Sequence, residues 1–228
     1  MTLPVGGTRS ASQLEAVITI AEADMQAHNM PHGFPGRNGG ELLEGFCGSA
    51  SEIFSYYAQL NGLPFEPYQN RTIHQALAGE SERRGPYGAQ SFVHGLSLGE
   101  VGKQPYLVDL TVGQFAVQDT IRQAEKDSGI ASHDPLVQNL IRTGYVALDD
   151  ETLRQYLRMT SCDNEGVGRA YIERATVTDL FRLAVPMERE IPIDDLVSGY
   201  EFHMPDTCTD QPIPCTRPAG KIDISYNM

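Results

Sequence analysis

Apolar residues recur at helical spacing over residues 11–29, where Leu14, Val17, Ile18, Ala21 and Met25 fall on one face. Ser12 followed by Glu15 has the form of a capping box, and Pro31 stops the helix. PHGFPGRNGG (31–40), with four glycines and two prolines, reads as a loop. A second stripe follows, made of Phe46, Ala50, Ile53, Phe54, Tyr57 and Leu60. Asn61-Gly62 closes it, because glycine takes the left-handed position after a helix, and Pro64 blocks extension. Residues 65–90 are polar and rich in Gly and Pro; they read as a long surface connection with one short helix near 72–79.

From residue 91 the period shortens to two. In SFVHGLSLGEV (91–101), Phe92, His94, Leu96 and Leu98 point to one side of a strand. PYLVDLTV (105–112) reads as a second strand, and the short connection predicts an antiparallel hairpin turning at Val101-Gly102. That register sets His94 directly across from Asp109, with Cβ atoms about 5 Å apart.

The second half is mainly helical. Asp134-Pro135 is an N-cap with proline at the first helical position; Leu136, Val137, Leu140 and Ile141 form the stripe, and Gly144 ends it. Residues 145–148 suit a short strand, after which Asp149 or Asp150 caps a helix carrying Leu153, Tyr156 and Leu157. Residues 170–177 (AYIERATV) look strand-like, and 178–185 helical. Six prolines in the last 43 residues mark an irregular tail. Without a repeat or a clean linker, the expected organisation is one domain over residues 1–185, with residues 186–228 packed on it.

Composition narrows the partners. The chain has 228 residues, 40% of them hydrophobic, with no run long enough to cross a bilayer. The start, MTLPVGGTRSASQLEAV, lacks a secretory pattern, so a cytoplasmic protein is expected, with signal-independent export or injection left open. A net charge of −13 repels nucleic acid and anionic lipid, so neither a nucleic acid nor a membrane is an expected partner. The four cysteines form no CxxC pair; Cys208 and Cys215 flank TDQPIP and suit a disulfide or two free thiols equally. With no GxGxxG, no P-loop and no metal motif among the remaining histidines, no cofactor and no metal are expected.

Against that background Cys47 stands out, at or just before the first turn of the second helix. Free helical N–H groups and the positive end of the dipole favour a thiolate there. An imidazole facing the sulfur would take its proton, and a carboxylate on the next strand would hold the ring. Cys47, His94 and Asp109 supply these parts in that order. Taken singly each has a plainer role, the cysteine as a small buried apolar group above all; an acid inside LVDLT is the least plain, since a buried carboxylate needs a partner.

FCGSASEIF followed by FVHGLSLGEVGKQPYLVDLTVGQF resembles the papain-like, transglutaminase-like superfamily, and within it bacterial protein-glutamine deamidases of the toxin or effector type. The likeness spans residues 40–118 and is carried by His94, Asp109, Leu110, Thr111, Gln114 and Phe115. It implies an α+β fold with a papain-like core: N-terminal helices on an antiparallel sheet, then a mainly helical C-terminal region. CGSAS is similar to the papain signature CGSCW, but the reactive thiol there is the second cysteine, where this chain has Ala50. Papain-like enzymes also place an oxyanion-binding Gln before the nucleophile; here Glu41 and Glu44 stand nearby. The Cys47 N–H and Asn38 are the substitutes considered for the oxyanion, although turn chemistry favours Asn38 as a plain turn residue before Gly-Gly; Gln114 is a further substrate-binding candidate.

The expected function is cysteine-dependent acyl transfer through a thioester, with deamidation of a glutamine in a protein or peptide substrate as the leading outcome. Amide formation with an amine or a carrier-protein co-substrate, proteolysis, and a non-catalytic binding module are the alternatives.

Overall fold

A computed structural model describes residues 11–27, 47–84, 91, 93–113, 134–161 and 169–188. Two helices come first, α1 (Ala11–Ala27) and α2 (Cys47–Leu60). The predicted α1 stripe is buried, and α2 buries Ala50, Ile53 and Phe54, whereas Leu60 is exposed. Ser12 lies inside α1 rather than at its cap, and Glu15 accepts a hydrogen bond from Tyr145 Oη at 2.8 Å. Strand β1 (Phe65–Gln69) runs straight into α3 (Asn70–Arg83). The hairpin is β2 (Gly95–Val101) with β3 (Gln104–Val108). Then follow α4 (Pro135–Thr143), β4 (Tyr145–Ala147), α5 (Asp150–Thr160), α6 (Ala170–Arg174) and α7 (Val177–Leu183). The result is an α+β fold with helices packed against a four-stranded antiparallel sheet of order β1-β2-β3-β4.

Alternation along the strands gives the sheet two apolar faces. One meets α1 and α2 through Phe65, Val101 and Val108. The other, with Tyr68, Leu96, Leu98 and Leu107, meets the helices of the second half and α3. On the α2 side β2 carries very little bulk. A Cβ on Gly95 would lie 2.4 Å from the Cys47 carbonyl oxygen, and one on Gly99 would lie 2.5 Å from that of Pro64. Between them Ser97 Oγ donates to the Ser51 carbonyl and accepts from Ser55 Oγ, each at 3.0 Å. Helix α2 therefore rests almost directly on the strand backbone, and the register between them is fixed by hydrogen bonds as well as packing.

Three further expectations are corrected. Residues 65–90 are not a plain surface connection, since β1 opens the segment and α3 follows. Pro67 is tolerated because β1 is an edge strand: its carbonyl faces outward and accepts from Met187 N at 2.8 Å, so the missing N–H lies off the ladder. Residues 170–177 are not a strand. Buried Tyr171 and Ile172 sit in the short helix α6, and Thr176 caps α7 by accepting from Asp179 N. The density of aromatic and β-branched residues suggested a strand, but packing against α3 and α5 overrides that preference.

The hairpin register is the third. Val101 pairs with Gln104 and Ser97 with Val108, so Gly102-Lys103 form the turn and Asp109 continues opposite Leu96, not His94. Moving the turn by one residue slides the pairing by two. Since side chains alternate with period two, this slip leaves every residue on its expected face. His94 and Asp109 become diagonal neighbours instead of opposed ones.

The predicted caps are in place: Asp134 accepts from Leu136 N at 2.8 Å, Gly144 is left-handed at φ 78°, and Asp149 accepts from Thr152 N at 2.7 Å. Cys162, Cys208, Cys215 and residues 189–228 lie outside the described residues. Among the described residues no helix is long and apolar enough to cross a membrane.

Candidate active site

Cys47 is the first described residue of α2 and is 9% exposed. Cys47 lies over the start of β2, and the Gly95 backbone passes close enough for its N–H to donate to the Cys47 sulfur. His94, one residue before β2, also hydrogen-bonds that sulfur. The other side of the ring is taken by Asp109: Nε2 lies 2.7 Å from Oδ2, and both side chains are buried. Nδ1 is thus the nitrogen left for the thiol. The three residues singled out in the sequence converge on one site.

Each partner is held by its own element. His94 is clamped by the first residue of α3: Asn70 N–H donates to the His94 carbonyl at 2.9 Å, and His94 N–H donates to Asn70 Oδ1 at 3.0 Å. That contact fixes the Asn70 amide orientation, since only its oxygen can accept. Asn70 Nδ2 is left buried without a hydrogen-bond partner, a state that costs about 1–3 kcal/mol.

Asp109 ends β3 by turning its carboxylate back on its own backbone. Oδ1 accepts from Thr111 N at 3.0 Å and Thr111 Oγ1 at 3.3 Å, an Asx turn that explains the spacing in DLT. Its N–H donates to the Gly144 carbonyl at 2.9 Å. Oδ2 receives His94 and also Tyr156 Oη of α5, at 3.1 Å.

The electrostatics follow from these contacts. Burial alone would raise the Cys47 thiol. The His94 hydrogen bond and charge, with the Gly95 N–H, outweigh burial and hold it below the ordinary 9.0. Burial would likewise push His94 down, but the charge and hydrogen bond of Asp109, supported by Cys47, raise it from 6.5 to about 10. Both shifts favour the same state, a thiolate beside an imidazolium. A nucleophile, an acid–base group and an orienting carboxylate in this relation are equipped for acyl transfer.

Asn38 and Gln114 lie outside the described residues. Asn70, Gly95 and Tyr156 were missed in the sequence, and the role of Thr111 was not seen. Thr111 was open to detection as the third residue of an Asp-x-Thr turn. Tyr156 reads from its helical spacing as a core residue, and nothing local marks its hydroxyl. Comparisons with protein-family models, curated proteins and solved structures found no match to this chain.

Proposed function

We propose that this protein is a cysteine-dependent acyl-transfer enzyme with a papain-like core, and that it deamidates a glutamine side chain of a protein substrate. The observation that carries the reading is His94 held between the Cys47 sulfur and Asp109 Oδ2, 2.7 Å from the carboxylate, inside a buried site. The setting agrees with it. The nucleophile lies on a helix that packs on an antiparallel sheet, and the sheet delivers the histidine at the start of one strand and the carboxylate at the end of the next.

The Cys47 thiolate attacks the side-chain amide carbon, forming a C–S bond while the carbonyl electrons move to oxygen. In this reading the Cys47 N–H donates to that oxyanion. As the tetrahedral adduct collapses, the C–N bond breaks. His94 passes its Nδ1 proton to the departing nitrogen, releasing ammonia and leaving a thioester. Water then attacks the thioester with His94 as base; the C–S bond breaks, and glutamate and the Cys47 thiolate–imidazolium pair are produced. Asp109 holds Nε2–H throughout.

The test is incubation of the wild type and Cys47→Ala with candidate proteins, reading ammonia release and the amide-to-acid mass change by peptide mass spectrometry. Ammonia and acid formation by the wild type alone supports the reading. Amine addition or chain cleavage by the wild type keeps the thioester and replaces the outcome. Equal activity of the two proteins overturns both.

A further inference from the structure

Asp109 is fully subscribed. Thr111 supplies two donors to Oδ1, and His94 Nε2 and Tyr156 Oη both reach Oδ2. A carboxylate offers about four lone-pair sites, so each is matched to a donor. The donors differ in origin. Thr111 belongs to Asp109's own turn, and His94 is the ring that Asp109 orients. Tyr156 comes from α5, 47 residues further along the chain, and is 2% exposed. Neither the turn nor the alignment of the imidazole requires it, and it shares the oxygen that binds the ring rather than the other one.

We propose that Tyr156 is a positioning residue that sets the acid strength of His94 through Asp109, keeping the imidazolium able to give its proton to the leaving nitrogen. The inference rests on the acyl-transfer reading above. A second donor on Oδ2 draws negative charge away from the Nε2–H bond. Without it, Asp109 holds the imidazolium more firmly, and His94 becomes a weaker acid. Proton donation as the C–N bond breaks is fastest when the acid is matched to the working pH, so an over-stabilised imidazolium slows that step. Among the described residues the ionisable groups that act on the ring include Asp109, after β3, and Cys47, on α2; Tyr156 reaches it by way of the carboxylate. Burial, with the charge and hydrogen bond of Asp109, keeps the phenol well above its ordinary value, so its proton remains in place for donation.

The experiment follows the His94 ring by NMR in ¹⁵N-histidine-labelled protein, in the wild type, in Tyr156→Phe, and with 3-fluorotyrosine incorporated at position 156. Steady-state deamidation is measured beside it. The phenylalanine variant is expected to move the His94 titration upward by about half a unit, a threefold gain in proton affinity, and to lower kcat with KM unchanged. The more acidic fluorinated phenol is a stronger donor and shifts the titration downward; if the phenylalanine variant does not fold, this arm decides alone. A titration unaffected by either change, or shifted in the reverse sense, overturns the inference. Iodoacetamide labelling of wild-type Cys47 near neutral pH separates the two ideas. Slow labelling defeats the acyl-transfer reading and this inference with it, whereas fast labelling with an insensitive His94 defeats this inference alone.

Discussion

His74 and His94 are equally hidden, at 0% and 1% exposure, yet the first is held at about 3 and the second at about 10. The same desolvation acts on both, and it favours the neutral ring. Their partners differ. His74, on α3, lies between two hydroxyls, Tyr171 Oη at 2.6 Å from Nδ1 and Thr160 Oγ1 at 2.9 Å from Nε2. A hydroxyl can donate or accept, so it satisfies a neutral ring without charging it. The nearby Arg169 charge, secondary to burial, also disfavours a proton there. His94 instead meets a carboxylate and a thiol that can become an anion. Burial makes a histidine sensitive to its neighbours, and the charge of those neighbours decides which form it takes. His74 ties α3, α5 and α6 together as a neutral cross-link; His94 joins the Cys47 sulfur to the Asp109 carboxylate at the end of the sheet.

Substitutions can break this contrast. The largest effect is expected from Cys47→Ala or His94→Ala, each lowering the rate of ammonia release by at least about a thousandfold, as loss of a triad member does; full activity in either would remove the distinction. Gly95→Ala comes next. Its Cβ would meet the Cys47 carbonyl oxygen at 2.4 Å, so the start of α2 must shift. A displacement of that kind lowers kcat about a hundredfold, measured in a variant whose melting curve remains cooperative.

His74→Leu should act on folding. It removes the ring bonds to the buried hydroxyls of Thr160 and Tyr171, whereas Thr160 Oγ1 keeps its bond to the Tyr156 carbonyl. The expected cost is about 1–2 kcal/mol in denaturant unfolding, while Cys47 stays reactive in the folded fraction. The pH dependence sharpens the point. Between 6.5 and about 3 the unfolded chain binds a proton at His74 that the folded chain refuses. The stability from the neutral ring is therefore complete above pH 6.5 and falls as pH drops, by up to about 1.4 kcal/mol per pH unit. His74→Leu should remove that contribution to the slope. The smallest effect is expected at the α2–β2 contact, where Ser55→Ala loses the bond to Ser97 and about 1 kcal/mol of stability.

Periodicity made the helical scaffold legible: the α1 stripe, the Asp134-Pro135 start, the Gly144 stop and the Asp149 cap are all local patterns. The triad was legible because helix placement and strand alternation survive a two-residue register error. The features that escaped depend on distant parts of the chain. A strand containing Pro67 is allowed only because it lies at the sheet edge. Gly95 looks like any strand glycine until α2 is laid over it. Asn70 and Tyr156 act through groups 24 and 47 residues away, and no local period encodes such contacts. His74 gave no sign of being a cross-link, because its two hydroxyl partners arrive from α5 and α6.

The pH dependence of iodoacetamide labelling at Cys47 tests the paired thiolate and imidazolium most directly, and it needs no knowledge of the substrate. Labelling of the native wild type should be fast at neutral pH, well below the ordinary thiol value of 9.0, and His94→Ala should return it to ordinary thiol behaviour. A wild-type rate that climbs only toward pH 9 and is unchanged in His94→Ala would contradict the account.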